Sequence, residues 1–291
     1  MFALPPEMAT FYKKNIRYIE EAAVNPDRRR YIVADEAPRH YIDLDTYGDS
    51  AAYKLPRYWK EAVAKFGEDS LKKHGILPWN ITRVYYQLSE AFLVKDPDRI
   101  LKLSADLGHY IGDAHVPLHT TRNYDGQLTG QTGIHGFWES RLPELFSSEF
   151  DFYTGKSLYI ENVQLEAWKI IAHTNQALDS VLRFEKELNK KFGDKKFNFE
   201  TQGRQTLKVF SANYSKAYHQ MLNGMVERQM RSSVLITGSL WYTAWVDAGQ
   251  PDLKSLIDYK PTEEEIKQRE VELKAWRATK KDSLVRPHES D

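Results

Sequence analysis

The sequence predicts an all-α protein, a single multi-helix domain, on three observations. Apolar residues recur three and four apart over most of the chain, and the segments they define are separated by Pro, Gly or Asp-rich breaks. The alternating apolar and polar runs that mark strands are absent. Pro5–Pro6 precede a periodic segment reaching about Val24, and residues 54–66, 80–95, 97–114 and about 160–190 follow. From about Gln205 to Ala248, Phe210, Tyr214, Ala217, Met221, Met225, Val234 and Trp241 form an apolar stripe, which predicts one long helix or a kinked pair as the pillar of the core. Its methionines and aromatics are read as packing rather than a cofactor box. Beyond Pro251 the composition turns charged. Residues 1–255 are therefore read as the helical domain, and 256–291 as a charged C-terminal helix and tail without chemistry.

Composition narrows the function classes. At 291 residues and 41% hydrophobic content the chain can bury a substantial core. No apolar run is long enough to span a bilayer, and the first residues, MFALPPEMATFYKK, lack the basic-then-apolar order of a secretory signal. With no cysteine, disulfides, thiolate metal sites and a cysteine nucleophile are excluded, so any metal is held by His, Asp and Glu. Basic and acidic residues balance at 41 each, so no global field draws the protein to a polyanion.

Against that even background, GHYIGDAHVPLHTTRNYDGQLTGQTGIHGFWES, residues 108–140, holds four of the nine histidines. His109 and Asp113 are four apart on a helix whose apolar stripe is Leu103, Leu107 and Ile111, so they project together from another face. Val116–Pro117 ends that helix, because proline lacks the N–H and disfavours helical geometry in the residue before it, and His119 follows at the turn. After a Gly-rich loop, His135 and Glu139 repeat the spacing at the start of a new helix. Mixed imidazole and carboxylate donors favour Zn²⁺ over Ca²⁺ or Mg²⁺, which prefer all-oxygen sites. His115 lies off the face of the first pair and is left out of the ligand set. His74, His173, His219 and His288 are isolated and read as satisfied or solvated.

The order His-x3-Asp-x5-His, loop, His-x3-Glu resembles the zinc-dependent phospholipase C and single-strand nuclease superfamily, whose nuclease branch includes the S-one and P-one enzymes. The resemblance covers most of residues 5–250 and implies that superfamily's all-helical fold and clustered zincs, in a bacterial phospholipase C-like branch. It assigns His109 and Asp113 to one zinc, and His119, His135 and Glu139 to a second. An upstream aspartate and histidine complete the first set, and Asp27 in NPDRRR and His40 in PRHYID match them, with Asp43 and Asp45 read as structural. In the family an N-terminal Trp and a nearby His bind a third zinc beside Asp113. This chain starts MFALPPEM with no histidine before His40, so two zincs are expected from it, and a third if a segment carrying Trp and His precedes it. The side of Asp113 facing the chain start is then expected to be open and poor in ligands. The family also suggests export to the periplasm or exterior.

The implied function is hydrolysis of phosphodiester bonds by water that zinc acidifies, with Asp27 also orienting or deprotonating that water. The substrate is a phospholipid head group or single-stranded nucleic acid; Glu as last ligand and the short loop favour the phospholipase side. No protein partner is implied. Arg28, Arg29 and Arg30 are read as a solvated run, with phosphate capture the sharper alternative. Trp79 is read as core, with an apolar rim as its alternative. The competing non-enzyme reading is a helical binding module that zinc only staples, which the lack of cysteine disfavours.

Overall fold

The computed structural model describes residues 3–202 and 205–257, with positions 263, 264, 267 and 271 beyond them. Helix dominates among these residues, as expected. The charged C-terminal segment falls almost wholly outside them.

The central pair of helices, Leu77–Leu93 and Pro97–Ala114, is joined by a tight turn at which the Asp96 carboxylate accepts from the Arg99 N–H at 3.0 Å, with Pro97 at the first helical position. Val163–Gln176 and the long helix Met225–Asp247 pack against this pair. Their facing side chains, among them Leu88, Phe92, Leu107, Ile111, Trp168 and Leu240, form the larger core. Met8, Phe11 and Tyr12 of the first helix, Pro6–Lys14, join that core, and Tyr12 stacks on Trp241 with ring centroids 4.5 Å apart. Trp79 belongs there too, 95% buried and edge-on to Trp168, so the core reading of that residue is the correct one.

A second apolar cluster gathers Leu118, Ile134, Phe137, Leu142, Val181, Tyr214, Tyr218 and Val226. The pillar expected over 205–248 is a broken pair, Ala212–Met221 and Met225–Asp247, interrupted where Asn223 and Gly224 take positive φ of 49° and 74°. Its start differs from the expectation. Residues Phe197–Gln202 and Gln205–Phe210 pair as an antiparallel hairpin, with Phe197 opposite Phe210. The sequence FNFETQ and QTLKVF alternates at period two, and the stacking of Phe210 on Phe137, centroids 4.0 Å apart, anchors that alternation to the second cluster. Val234, expected in the core stripe, is 39% exposed. The helix Pro97–Ala114 is built into the larger core, and the segment from Val116 to Leu142 into the smaller one, so residues 113–119 lie at the seam between them.

Candidate metal centre

Five separate segments bring their side chains to this seam. Asp27 comes from the short helix Asn25–Arg29, His40 from the 3-10 turn Ala37–His40, and His109 and Asp113 from the last turns of Pro97–Ala114. His119 sits on the 3-10 turn Pro117–Thr120, which starts where Pro117 ends the preceding helix. His135 opens the helix after the loop, and Glu139 lies in a π-helical turn, Phe137–Arg141, that continues it.

One ligand atom from each of Asp27, His40 and His109 lies within 4.8 Å of the others. His40 Nδ1 is 3.1 Å from His109 Nε2, and Asp27 Oδ1 is 3.7 and 3.8 Å from those two nitrogens. Asp113 Oδ2 approaches the same nitrogens at 2.9 and 3.3 Å, while its Oδ1 is 3.9 Å from His119 Nδ1. Asp113 thus stands between two sets, and the second comprises His119, His135 and Glu139. Glu139 Oε2 is 2.7 Å from His135 Nε2 and 3.5 Å from His119 Nε2. All seven residues singled out in the sequence are brought together in this way.

The donor set fits a small divalent cation. A tetrahedral ion with bonds of about 2.1 Å separates its ligands by roughly 3.4 Å, the spacing seen around the first set. Protons satisfy so many convergent acceptors poorly, whereas one cation satisfies them together. Ring orientation agrees. The Nδ1–H of His119 donates to the His40 carbonyl at 2.5 Å, and that of His135 to the Tyr124 carbonyl at 3.1 Å, so each presents a lone pair on Nε2 to Glu139. The Ile42 N–H returns a bond to the His119 carbonyl at 2.9 Å, lacing the two turns together.

Electrostatics favours the same state. Burial works to raise the Asp113 carboxyl, but the charges of His109 and His119 and the hydrogen bond from His40 outweigh it and bring it down to about 2. Burial likewise opposes ionisation of Glu139, and its hydrogen bonds to His119 and His135 hold it well below the usual carboxylate range. Burial keeps the His40 imidazole below its ordinary value despite Asp113. Ionised carboxylate is the form in which these side chains take a metal, and a bound cation takes over the positive charge that the imidazoles supply here.

Several supporting residues escaped the sequence reading. Asp125 accepts from the backbone N–H of Gly133 at 3.0 Å and of His135 at 3.3 Å, tying the loop to the start of the second ligand helix. The loop closes tightly at Gly126, where a Cβ would sit 2.6 Å from the Gln131 carbonyl oxygen and φ is +74°. Glu36, fully buried, accepts from the Tyr110 hydroxyl, Arg39 and Arg29, and its Oε1 lies 3.8 Å from His40 Nε2. That ring nitrogen is buried without a hydrogen-bond partner. Glu36 precedes His40 by four residues, the spacing already used for both ligand pairs, and that signal was available in the sequence. The solvated reading of the arginine run fails at Arg29, which turns inward to Asp106 at 3.0 Å as well as to Glu36, because two buried carboxylates need a cation. Arg30 Nη1 instead lies 3.6 Å from Asp27. Asp45 accepts from Thr121 and Arg122 and steadies the His119 turn, in keeping with a structural role. His115 bonds Ile111 O and Ser232 Oγ with its two ring nitrogens, so neither points to the centre.

Replacing Glu36 with alanine removes the shared partner of two arginines and is expected to cost about 3–5 kcal/mol of stability. It should also weaken metal at the first set about 10- to 100-fold while sparing the second. Thermal melting together with zinc titration measures both; equal loss at the two sets would contradict the assignment of Glu36 to His40.

A groove of about 550 Å³ opens from the centre toward the chain start. Asp27, His109, Asp113 and Glu139 line one end, and Ala3, Leu4, Val24, Val234 and Trp241 contribute to the rest. Among the described residues its walls add no histidine or carboxylate beyond the expected ligands, and the side of Asp113 toward Ala3 is open. No protein-family model matches the chain and no curated protein matches it.

Proposed function

We propose that the protein is a zinc-dependent hydrolase of phosphodiester bonds, of phospholipase C type. The observation that carries this reading is the convergence of three carboxylates and four histidines into two adjacent sets joined by Asp113. Zinc bound there supplies acidified water at neutral pH and positive charge opposite the phosphoryl oxygens. Asp27, His40, His109 and Asp113 would hold the first position and His119, His135 and Glu139 the second. Three negative charges leave a pair of divalent cations net positive, which suits a phosphate.

Asp27, with its side chain 52% exposed, is the most exposed of the candidate ligands and would orient the attacking water and accept its proton. Arg30 beside it offers a guanidinium to a phosphoryl oxygen. This accessibility favours catalysis over a closed structural staple. Arg30 apart, the apolar walls of the groove carry no lysine or arginine among the described residues, which favours a substrate with a greasy portion over a nucleic-acid strand, which needs a run of basic and stacking surfaces.

The test is elemental analysis of the purified protein combined with hydrolysis of a chromogenic phosphodiester, a short-chain phosphatidylcholine and a single-stranded oligonucleotide. Metal-dependent turnover, lost with chelator and restored by zinc, with the phospholipid preferred, is the expected result. Preference for the oligonucleotide would move the reading to the nuclease side. Failure to bind zinc, or no turnover of any of the three with zinc bound, would end it.

A further inference from the structure

A second concavity, of about 430 Å³, shares no lining residue with the groove and contains none of the seven candidate ligands. Its ionisable side chains that carry or can gain positive charge are Arg57, Lys169 and His173, and no aspartate or glutamate among the described residues lines it. Lys169 reaches Glu166 at 3.4 Å one turn back along the helix Val163–Gln176. Arg57 has no such partner among the described residues. Its backbone carbonyl accepts from the Trp168 indole N–H at 3.2 Å, and its guanidinium lies 4.6 Å from the centroid of the same ring. The head group is thereby held in place, yet its Nη1 is buried with no hydrogen-bond acceptor. A guanidinium carries five donors and no acceptor, and Arg57, only partly buried, keeps its remaining N–H groups for a ligand in the concavity.

Tyr53, largely exposed, supplies a neutral donor at the rim of the concavity. Its oxygen accepts from Gln176 Nε2–H at 2.6 Å, which leaves the phenolic O–H to be donated elsewhere. We propose that this concavity is a binding site for the oxyanion group of a small molecule, phosphate or carboxylate, with Arg57 as the charged anchor and the Tyr53 hydroxyl as a neutral donor. Lys169 and His173 add positive charge at its edge, and Leu165 and Trp168 provide apolar contact for the rest of the ligand. The volume suits a small molecule, and a planar guanidinium pinned on an aromatic ring is preorganised to bind an oxyanion through two N–H groups. The site is separate from the proposed hydrolytic centre, although its helix also carries Asn175, which donates to Thr120 Oγ1 at 2.9 Å beside His119.

The experiment titrates the zinc-loaded full chain with inorganic phosphate and, separately, with acetate, following the indole N–H signal of Trp168 by NMR. That signal is assigned by its loss in Trp168→Phe. A saturable shift that persists after chelation, and so does not arise at the metal centre, is expected. Arg57→Gln should weaken the interaction at least tenfold and Tyr53→Phe several-fold. Response to phosphate alone identifies a phosphate site, and response to both anions a general oxyanion site. No saturable shift with either anion, a shift that chelation removes, or one that Arg57→Gln leaves unchanged would overturn the proposal. Should Arg57→Gln fail to fold, Tyr53→Phe decides, since an unchanged affinity in that variant is equally fatal.

Discussion

Replacing His135 with alanine is expected to reduce phosphodiester hydrolysis by about 100- to 1,000-fold or more while leaving the fold standing. His135 is one of three side chains in the second set, and its loss leaves His119 and Glu139 to hold a cation alone. The proposed reaction then lacks part of the positive charge opposing the phosphoryl oxygens, and losing one stabilising group of that kind costs about this factor. The side chain is a minor part of the packing. The smaller core beside it is built from apolar and aromatic side chains, Phe137, Tyr214, Tyr218 and their neighbours. Zinc content should fall by about half with a melting temperature within a few degrees of the parent. A structural staple predicts the reverse, because structural zinc contributes folding free energy directly. A melting temperature that collapses in His135→Ala, in a parent that hydrolyses nothing, would decide for the staple.

The second large effect is expected at Asp113. An Asp113→Asn exchange keeps the shape and one acceptor but removes the negative charge that faces His40, His109 and His119 together. Both sets should lose affinity, unlike His135→Ala, which spares the first. Hydrolysis should fall at least as far as in His135→Ala, and zinc titration should show no site of parental affinity. The substitution is isosteric, so a loss cannot be assigned to a cavity. Parental affinity retained at either set would show that Asp113 belongs to the other set alone.

How far the sequence reaches depends on the range of the interaction being read. The i, i+4 pairs His109–Asp113 and His135–Glu139 were legible because a helix places such residues on one face whatever surrounds it. Pro117 and the apolar stripes likewise announced helix ends and buried faces through local covalent geometry. The hairpin was missed because its alternation is only six residues long on each strand and is held by Phe210 against Phe137, a partner far away in sequence.

By itself, then, the sequence determined the helical periods, the cysteine-free donor chemistry and the two ligand pairs. Residue spacing alone does not show that Asp27 and His40 meet His109, which the resemblance implied; the packing of residues 25–40 on the helix Pro97–Ala114 brings them there. Only the tertiary structure decided that Asp113 lies between two sets and that Arg29 faces inward while Arg30 stays beside Asp27. Backbone hydrogen bonds, not composition, chose which nitrogen of His119 and His135 is turned to the centre. The physical reason is common to all of these. Ligand-atom separations of a few ångströms between remote segments are set by how cores pack and which buried charges must be paired, and neither quantity has a period that a linear sequence displays.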